Sequence, residues 1–320
     1  MSELSGISSQ LSAVRTEGLA LIADGSLEAL LVRSPAVEDG ETKDQDRVLW
    51  LEKEQIACVC DGTTSSPYAD EAAQFVVDYL ECHHRAWLSA DAHVFQSEVD
   101  GLVDGLLRLR HSAANRPIRV PEVLAAPVRL LLEQDVKEKR RYSHRTTMIS
   151  ARFGCGSDDM LYMRLFKCGD SELLVFRPDG KLLFTTAEVR WETTGGRSPV
   201  GAGEMSTAPT RLLCFHHPSS VTEVMPDKHI HAAAWAPEFR FPVDSCFLLT
   251  TDGLLDAFPG STDLFTWLQT NYCTLADEEA GAVVMRDLHA QLKQRRGDDD
   301  ISFIAISYQP STISTTRSEL

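Results

Sequence analysis

The chain has 320 residues, 43% of them hydrophobic and 24% charged, an ordinary balance for a protein that buries a substantial core. Its formal net charge of −16 argues against a general nucleic-acid binder, which needs Lys and Arg to neutralise phosphates. No stretch approaches the roughly 18 apolar residues of a membrane helix, and residues 1–10 (MSELSGISSQ) lack the basic and apolar segments of a secretory leader, so the expected compartment is the cytoplasm, without a membrane partner.

Residues 47–51 (RVLWL) and 56–60 (IACVC) read as two strands joined by a charged turn at Glu52, Lys53 and Glu54. The second strand ends at Asp61-Gly62. Ala69, Ala72, Ala73, Val76 and Leu80 then keep the spacing of one apolar helix face, and a second helix runs through Val99, Leu102, Val103, Leu106 and Leu109. A third helix is expected from near Pro121, with a break at Pro127.

The period then changes to that of strands, at 146–153, 161–167, 172–176 and 181–185. Pro178-Asp179-Gly180 marks a hairpin between the last two. Residues 192–243 read as an irregular insertion around one strand, 211–215. The strand CFLLTT ends at Asp252-Gly253. A long helix follows, marked by Thr274 and Asp277 as a capping box, with Ala280, Val283, Val284, Leu288 and Leu292 on its buried face. The last strand, 301–308, is led by Asp298, Asp299 and Asp300, and the polar tail 309–320 is expected to be disordered. Residues 1–308 are taken as one domain.

Hairpin-linked strands imply mostly antiparallel sheets. Two such sheets with helix pairs outside each, a four-layer α/β/β/α sandwich of α+β class, cover both early and late helical blocks. The eight cysteines suit a reducing compartment. Cys58, Cys60, Cys168, Cys214 and Cys246 lie in apolar strands and read as core residues. Cys82-His83-His84 reads as a solvated helix end. His216-His217 and the His229, His231 pair read as surface or packing histidines.

A carboxylate at a strand end is fixed at the rim of a rigid sheet. Three such rims can converge on a hard cation, which wants oxygen ligands. Asp61, Asp252 and Asp299 have this placement. The order of motifs resembles the metal-dependent serine/threonine protein phosphatases, the PPM or type 2C family. The landmarks are Gln45-Asp46, Asp61-Gly62 before an Ala-rich helix, Thr146-Thr147, Gly169-Asp170-Ser171, and the pair Asp252-Gly253 and Asp299-Asp300. The resemblance implies two Mn²⁺ or Mg²⁺ ions, and a looser third. Asp61 would bridge both, the Gly62 carbonyl would ligate one, Asp252 and Asp299 would hold the other, Asp170 would join Asp252 at the third position, and Asp46 would orient a water. It also implies a phosphoprotein substrate, the target of a partner Ser/Thr kinase. Thr146 and Thr147 themselves read as strand residues with a structural hydroxyl bond.

Four positions depart from the family, one of them Asp300, which stands where Asn is common and whose D-D-x-S/T ending is similar to that of the bacterial branch. Glu41 stands where a phosphate-binding Arg is frequent, leaving Lys43 as the nearest cation, a point charge without the guanidinium fork. Thr63 replaces a His that serves as general acid in animal and plant members, and Glu172 replaces an Arg after the G-D-S motif. These departures motivate an alternative, a pseudophosphatase acting as a regulatory binding module. A metal-dependent nuclease is disfavoured by the acidic balance.

Overall fold

The computed structural model describes residues 15–22, 25–38, 41–62, 66, 68–112, 144–155, 160–186, 238–295 and 299–310. Strand structure begins well before residue 47. β1 (Arg15–Ile22) and β2 (Gly25–Ser34) form an antiparallel pair, followed by a small hairpin of β3 (Ala36–Glu38) and β4 (Glu41–Lys43). Leu27, Leu30 and Leu31 of β2 fall at helical spacing, which hides the strand from a periodicity reading. Leu27, Ala29 and Leu31 in fact face one core and Leu30 and Val32 another, so the strand is apolar on both faces.

β5 (Arg47–Leu51) and β6 (Ile56–Cys60) follow as expected, then α1 (Ala69–His83) and α2 (Ala92–Ser112). β7 (Met148–Cys155), β8 (Met160–Cys168), β9 (Glu172–Phe176) and β10 (Leu182–Thr185) make the central run. β11 (Glu238–Pro242) lies inside the stretch expected to be irregular, so regular structure resumes earlier than residue 243. The expected third helix, the 211–215 strand and the four histidines of 216–231 lie outside the described residues.

After β12 (Cys246–Thr250) come three helices where one was expected: α3 (Asp252–Asp256), α4 (Ser261–Leu275) and α5 (Glu278–Arg295). The threonines of α4 mask it in sequence. In the helix, the Thr266 and Thr270 hydroxyls donate to the carbonyls four residues back, both at 2.8 Å, and so are absorbed. The capping box is corrected: Thr274 sits in the last turn of α4, and Asp277 alone caps α5, its Oδ1 accepting the Ala280 N–H at 2.9 Å. Val283 is also corrected, being 51% exposed; the buried stripe of α5 is Gly281, Ala282, Met285, Leu288 and Leu292. β13 (Ile301–Pro310) runs two residues into the expected tail, because Gln309 and Pro310 pair with Ser26 and Gly25.

The strands form a six-stranded sheet of order β1-β2-β13-β12-β9-β10 and a five-stranded sheet of order β11-β8-β7-β6-β5. Neighbours are antiparallel throughout the described pairs. The sheets stack over a core that includes Leu31, Ile149, Met163, Leu249 and Ile304. α1 and α2 cover the outer face of the five-stranded sheet, through Val76, Leu80 and Leu102 against Cys58 and Phe166. α3 to α5 cover the six-stranded sheet, through Leu254, Leu268 and Leu288 against Leu248 and Phe303. The expected α/β/β/α sandwich is therefore the observed one. Cys58, Cys60 and Cys168 are buried free thiols, and Cys82 is exposed at the end of α1, as expected; Cys246 is only partly covered. Among the described residues, no helix is long and apolar enough to cross a membrane.

Candidate active site

The strand registers bring one set of strand termini to one end of the sandwich. Arg47 at the start of β5 pairs with Cys60 at the end of β6, and Ile301 at the start of β13 pairs with Ser34 at the end of β2. Thr250 at the end of β12 lies between Phe303 and Glu172. The acid-bearing segments leave from this end. Asp46 precedes β5, Asp61 follows β6, Asp170 turns between β8 and β9, Asp252 opens α3, and Asp299 and Asp300 precede β13.

Each D-G glycine marks where two of these segments cross. A Cβ on Gly62 would stand 2.8 Å from both the Cβ and the carbonyl oxygen of Gln45. One on Gly253 would stand 2.1 Å from the Asp300 carbonyl oxygen. Asp61 is thus packed against the segment of Asp46, and Asp252 against that of Asp299, because glycine alone permits the approach. The Asp61 carbonyl is held from the other side by the Thr147 N–H at 2.7 Å and the Thr146 hydroxyl at 2.8 Å. The Thr147 and Ser171 hydroxyls meet at 2.6 Å beneath Gly169, whose φ of +89° turns the chain at Asp170. The threonine pair therefore has the structural role expected of it.

The electrostatics identify a cluster. The Asp61 carboxyl is raised well above the usual range, first by burial and then by Asp46, Asp252, Asp299 and Asp170 in turn. Asp46 is raised by burial, then by Asp300 and Asp299, while the hydroxyls of Ser302 and Thr251 face it and pull the other way. Neither hydroxyl closes a bond of good geometry, so both Asp46 oxygens are buried without a hydrogen bond. Burial, Asp252 and Asp300 push Asp299 up to about 7. Like charges gathered in a poorly solvated place hold their protons. Asp170, by contrast, is exposed on its turn.

The donor set suits a hard divalent cation: carboxylate oxygens from separate segments, one of them buried with both lone-pair faces unused. The side chains do not already form a finished cage, for among the described residues no three carboxylate, imidazole or thiol groups are gathered tightly enough for one. Asp298, beside Asp299, and Thr63, beside Gly62, lie outside the described residues.

Asp300 has a different occupation from Asp299. Its Oδ1 accepts the Ala36 N–H at 2.7 Å and its Oδ2 the Gln45 N–H at 2.9 Å. Burial lifts its carboxyl to about 6 against the pull of these amides. Asp252 acts on Asp299, and both Asp300 and Asp299 act on the buried Asp46.

Sequence reasoning missed Arg33. Its Nη2 donates to Asp44 Oδ2 at 2.8 Å, and Arg47 Nη1 donates to the carbonyls of Asp44 and Asp46 at 3.0 and 2.7 Å. The cation nearest Glu41 in sequence is Lys43, which ends β4 opposite Ala36 and whose side chain lies outside the described residues. The β3–β4 hairpin, inserted between Ser34 and Asp44, separates Arg33 from Asp46 in sequence, yet both stand at the same end of the sandwich. The signal that could have found Arg33 is its place at the end of a strand. Glu172 is also settled: it takes Lys167 in an ion pair at 2.6 Å, both groups buried.

Among solved structures, the chain is similar to a phosphatase from a pathogenic strain of Toxoplasma gondii, with TM-score 0.53 and 12% identity over 90% of this chain and 94% of that one. It also aligns, at TM-score 0.47, with PppA, a key regulatory component of T6SS in Pseudomonas aeruginosa (18% identity), and with the serine/threonine phosphatase PstP/Ppp of Mycobacterium tuberculosis (17% identity). Each of these covers 88% of this chain and 98% of its own. No family model matches the sequence, and no curated protein does. At 12% identity the first likeness shows a shared fold. The motif order that resembles the metal-dependent serine/threonine phosphatases thus sits on a phosphatase fold, and the chemistry has to be argued from the residues.

Proposed function

We propose that this chain is a Mn²⁺- or Mg²⁺-dependent phosphatase acting on phosphoserine and phosphothreonine in proteins. The carrying observation is the convergence of Asp46, Asp61, Asp252 and Asp299 from four separate segments, the other three each raising the proton affinity of Asp61. Carboxylates so placed oppose folding unless a cation offsets them, and a chain without use for a metal gains nothing by keeping them.

In this reading Asp61 and the Gly62 carbonyl, with Asp252 and Asp299, would hold the ions, and Asp170 would serve a looser further position. When bound, divalent ions would supply charge compensation for a phosphomonoester and an acidified water as nucleophile. Asp46, buried behind the rim, orients that water. Arg33, held by Asp44, binds the phosphoryl oxygens in preference to Lys43, since a guanidinium offers the fork a phosphate matches. The catalytic unit is one domain, residues 1–308, working in the cytoplasm on a phosphoprotein that a Ser/Thr kinase modifies, with no nucleic-acid or membrane partner.

The second reading, a pseudophosphatase that binds and regulates, draws on Thr63 and on Glu172, which is taken up by Lys167 in place of a free cation. Hydrolysis of a phosphothreonine peptide and of p-nitrophenyl phosphate decides between them. With Mn²⁺ or Mg²⁺ the wild type turns over both, chelator stops it, and Asp252→Ala abolishes it. A folded wild type that is inert on both substrates sinks the enzyme reading.

A further inference from the structure

Asp300 spends both carboxylate oxygens on backbone amides, and those amides belong to a segment 255 to 264 residues away in sequence. Ala36 opens the β3–β4 hairpin, and Gln45 follows its far strand, immediately before Asp46. One side chain thus closes both roots of an inserted hairpin onto the start of β13. The same neighbourhood is interlocked by two close approaches, Gly253 on the Asp300 carbonyl and Gly62 on Gln45.

We propose that Asp300 is a positioning residue that clamps residues 36–45 across the acid end and so sets where the Asp46 carboxylate stands. The proposal rests on the phosphatase reading above. The residue type is dictated by the donors it faces. Two converging N–H groups need two acceptor oxygens, which a carboxylate has and a carboxamide lacks. Asn at this position would turn an NH₂ toward one backbone N–H, losing one bond and opposing two donors. Asp46 cannot find its place by its own bonds, because both its oxygens lack a hydrogen-bond partner of good geometry. Its position is therefore inherited from the backbone on either side, fixed by Asp300 through Gln45 and by Arg47 through the Asp46 carbonyl.

The test uses the full chain and Asp300→Asn, with three readouts: Mn²⁺ titration by calorimetry, kcat and KM on p-nitrophenyl phosphate, and amide exchange by mass spectrometry over residues 35–46. The expected result is faster exchange at Ala36 and Gln45, one Mn²⁺ equilibrium weakened by about 10- to 100-fold, and a fall of kcat by at least about tenfold with KM within about twofold. A variant that melts earlier but keeps wild-type Mn²⁺ affinity and kcat overturns the proposal and leaves the phosphatase reading intact. A wild type that binds no Mn²⁺ overturns both. If Asp300→Asn does not fold, Ala36→Pro removes one donor while leaving every acid in place. Unchanged Mn²⁺ affinity in that variant overturns the clamp, and weakened affinity supports it.

Discussion

A single buried carboxylate shows what this molecule gives up for its site. Asp46 has both oxygens buried without a good hydrogen bond and is pressed by Asp300 and Asp299. A group held in this way destabilises the fold whenever it is charged, since its proton affinity is higher folded than unfolded. Asp46→Asn is therefore expected to stabilise the chelated protein by about 1–3 kcal/mol at pH 7.5 while losing the Mn²⁺ response. Urea unfolding with and without Mn²⁺ measures both, and a destabilised variant contradicts the placement. Gly253 answers to sterics instead. A Cβ there meets the Asp300 carbonyl at 2.1 Å, and that atom belongs to backbone. Gly253→Ala should cost about 2–4 kcal/mol and lower metal-dependent turnover, because relief requires the Asp252 and Asp299 segments to part. A variant as stable as wild type would show that these segments are not interlocked.

At the scale of elements, α5 and the β8–β9 junction are the informative cases. Asp277 caps α5 through the Ala280 amide, so Asp277→Ala should cost about 0.5–2 kcal/mol, whereas Thr274→Ala should be close to neutral. Equal losses in the two thermal melts would restore the capping box that the structure removes. Lys167 on β8 and Glu172 on β9 join the two sheets by an ion pair beside the Gly169 turn. Removing one partner strands a buried charge. Lys167→Met should therefore cost about 3–5 kcal/mol, and Lys167→Met with Glu172→Leu far less. A double mutant as damaged as the single would mean the pair contributes stability of its own and is more than mutually compensated.

At the scale of the whole molecule, the two sheets are held by apolar packing while their shared end gathers like charges. A divalent cation that binds only the folded chain should add about 2.7 kcal/mol at a concentration one hundred times its Kd. Melting temperature should rise with Mn²⁺ or Mg²⁺, return with chelator, and not respond in the same way to NaCl at matched ionic strength. No shift with either divalent ion would remove the metal from the account of this fold.

What was legible from sequence followed from local physics. The alternation in 47–60, the Ala-rich face of α1, and the Pro178-Asp179-Gly180 turn are each decided by a few neighbouring residues, and from them come the sandwich and its layers. The acids at strand ends were visible for the same reason. β2 and α4 were not, because the leucine spacing of β2 imitates a helix and the threonines of α4 imitate a strand. Only the covering of β2 on both faces, and hydroxyl bonds formed once the helix exists, reveal them. The sequence alone thus determined which residue types could make a metal-dependent chemistry. The tertiary structure decided which of them meet. Arg33 joins the acid end although a hairpin separates it from Asp46, and Asp300, which acts on Asp46, also holds two distant amides. Such partnerships are set by strand register across some 250 residues of chain, and no local pattern encodes them.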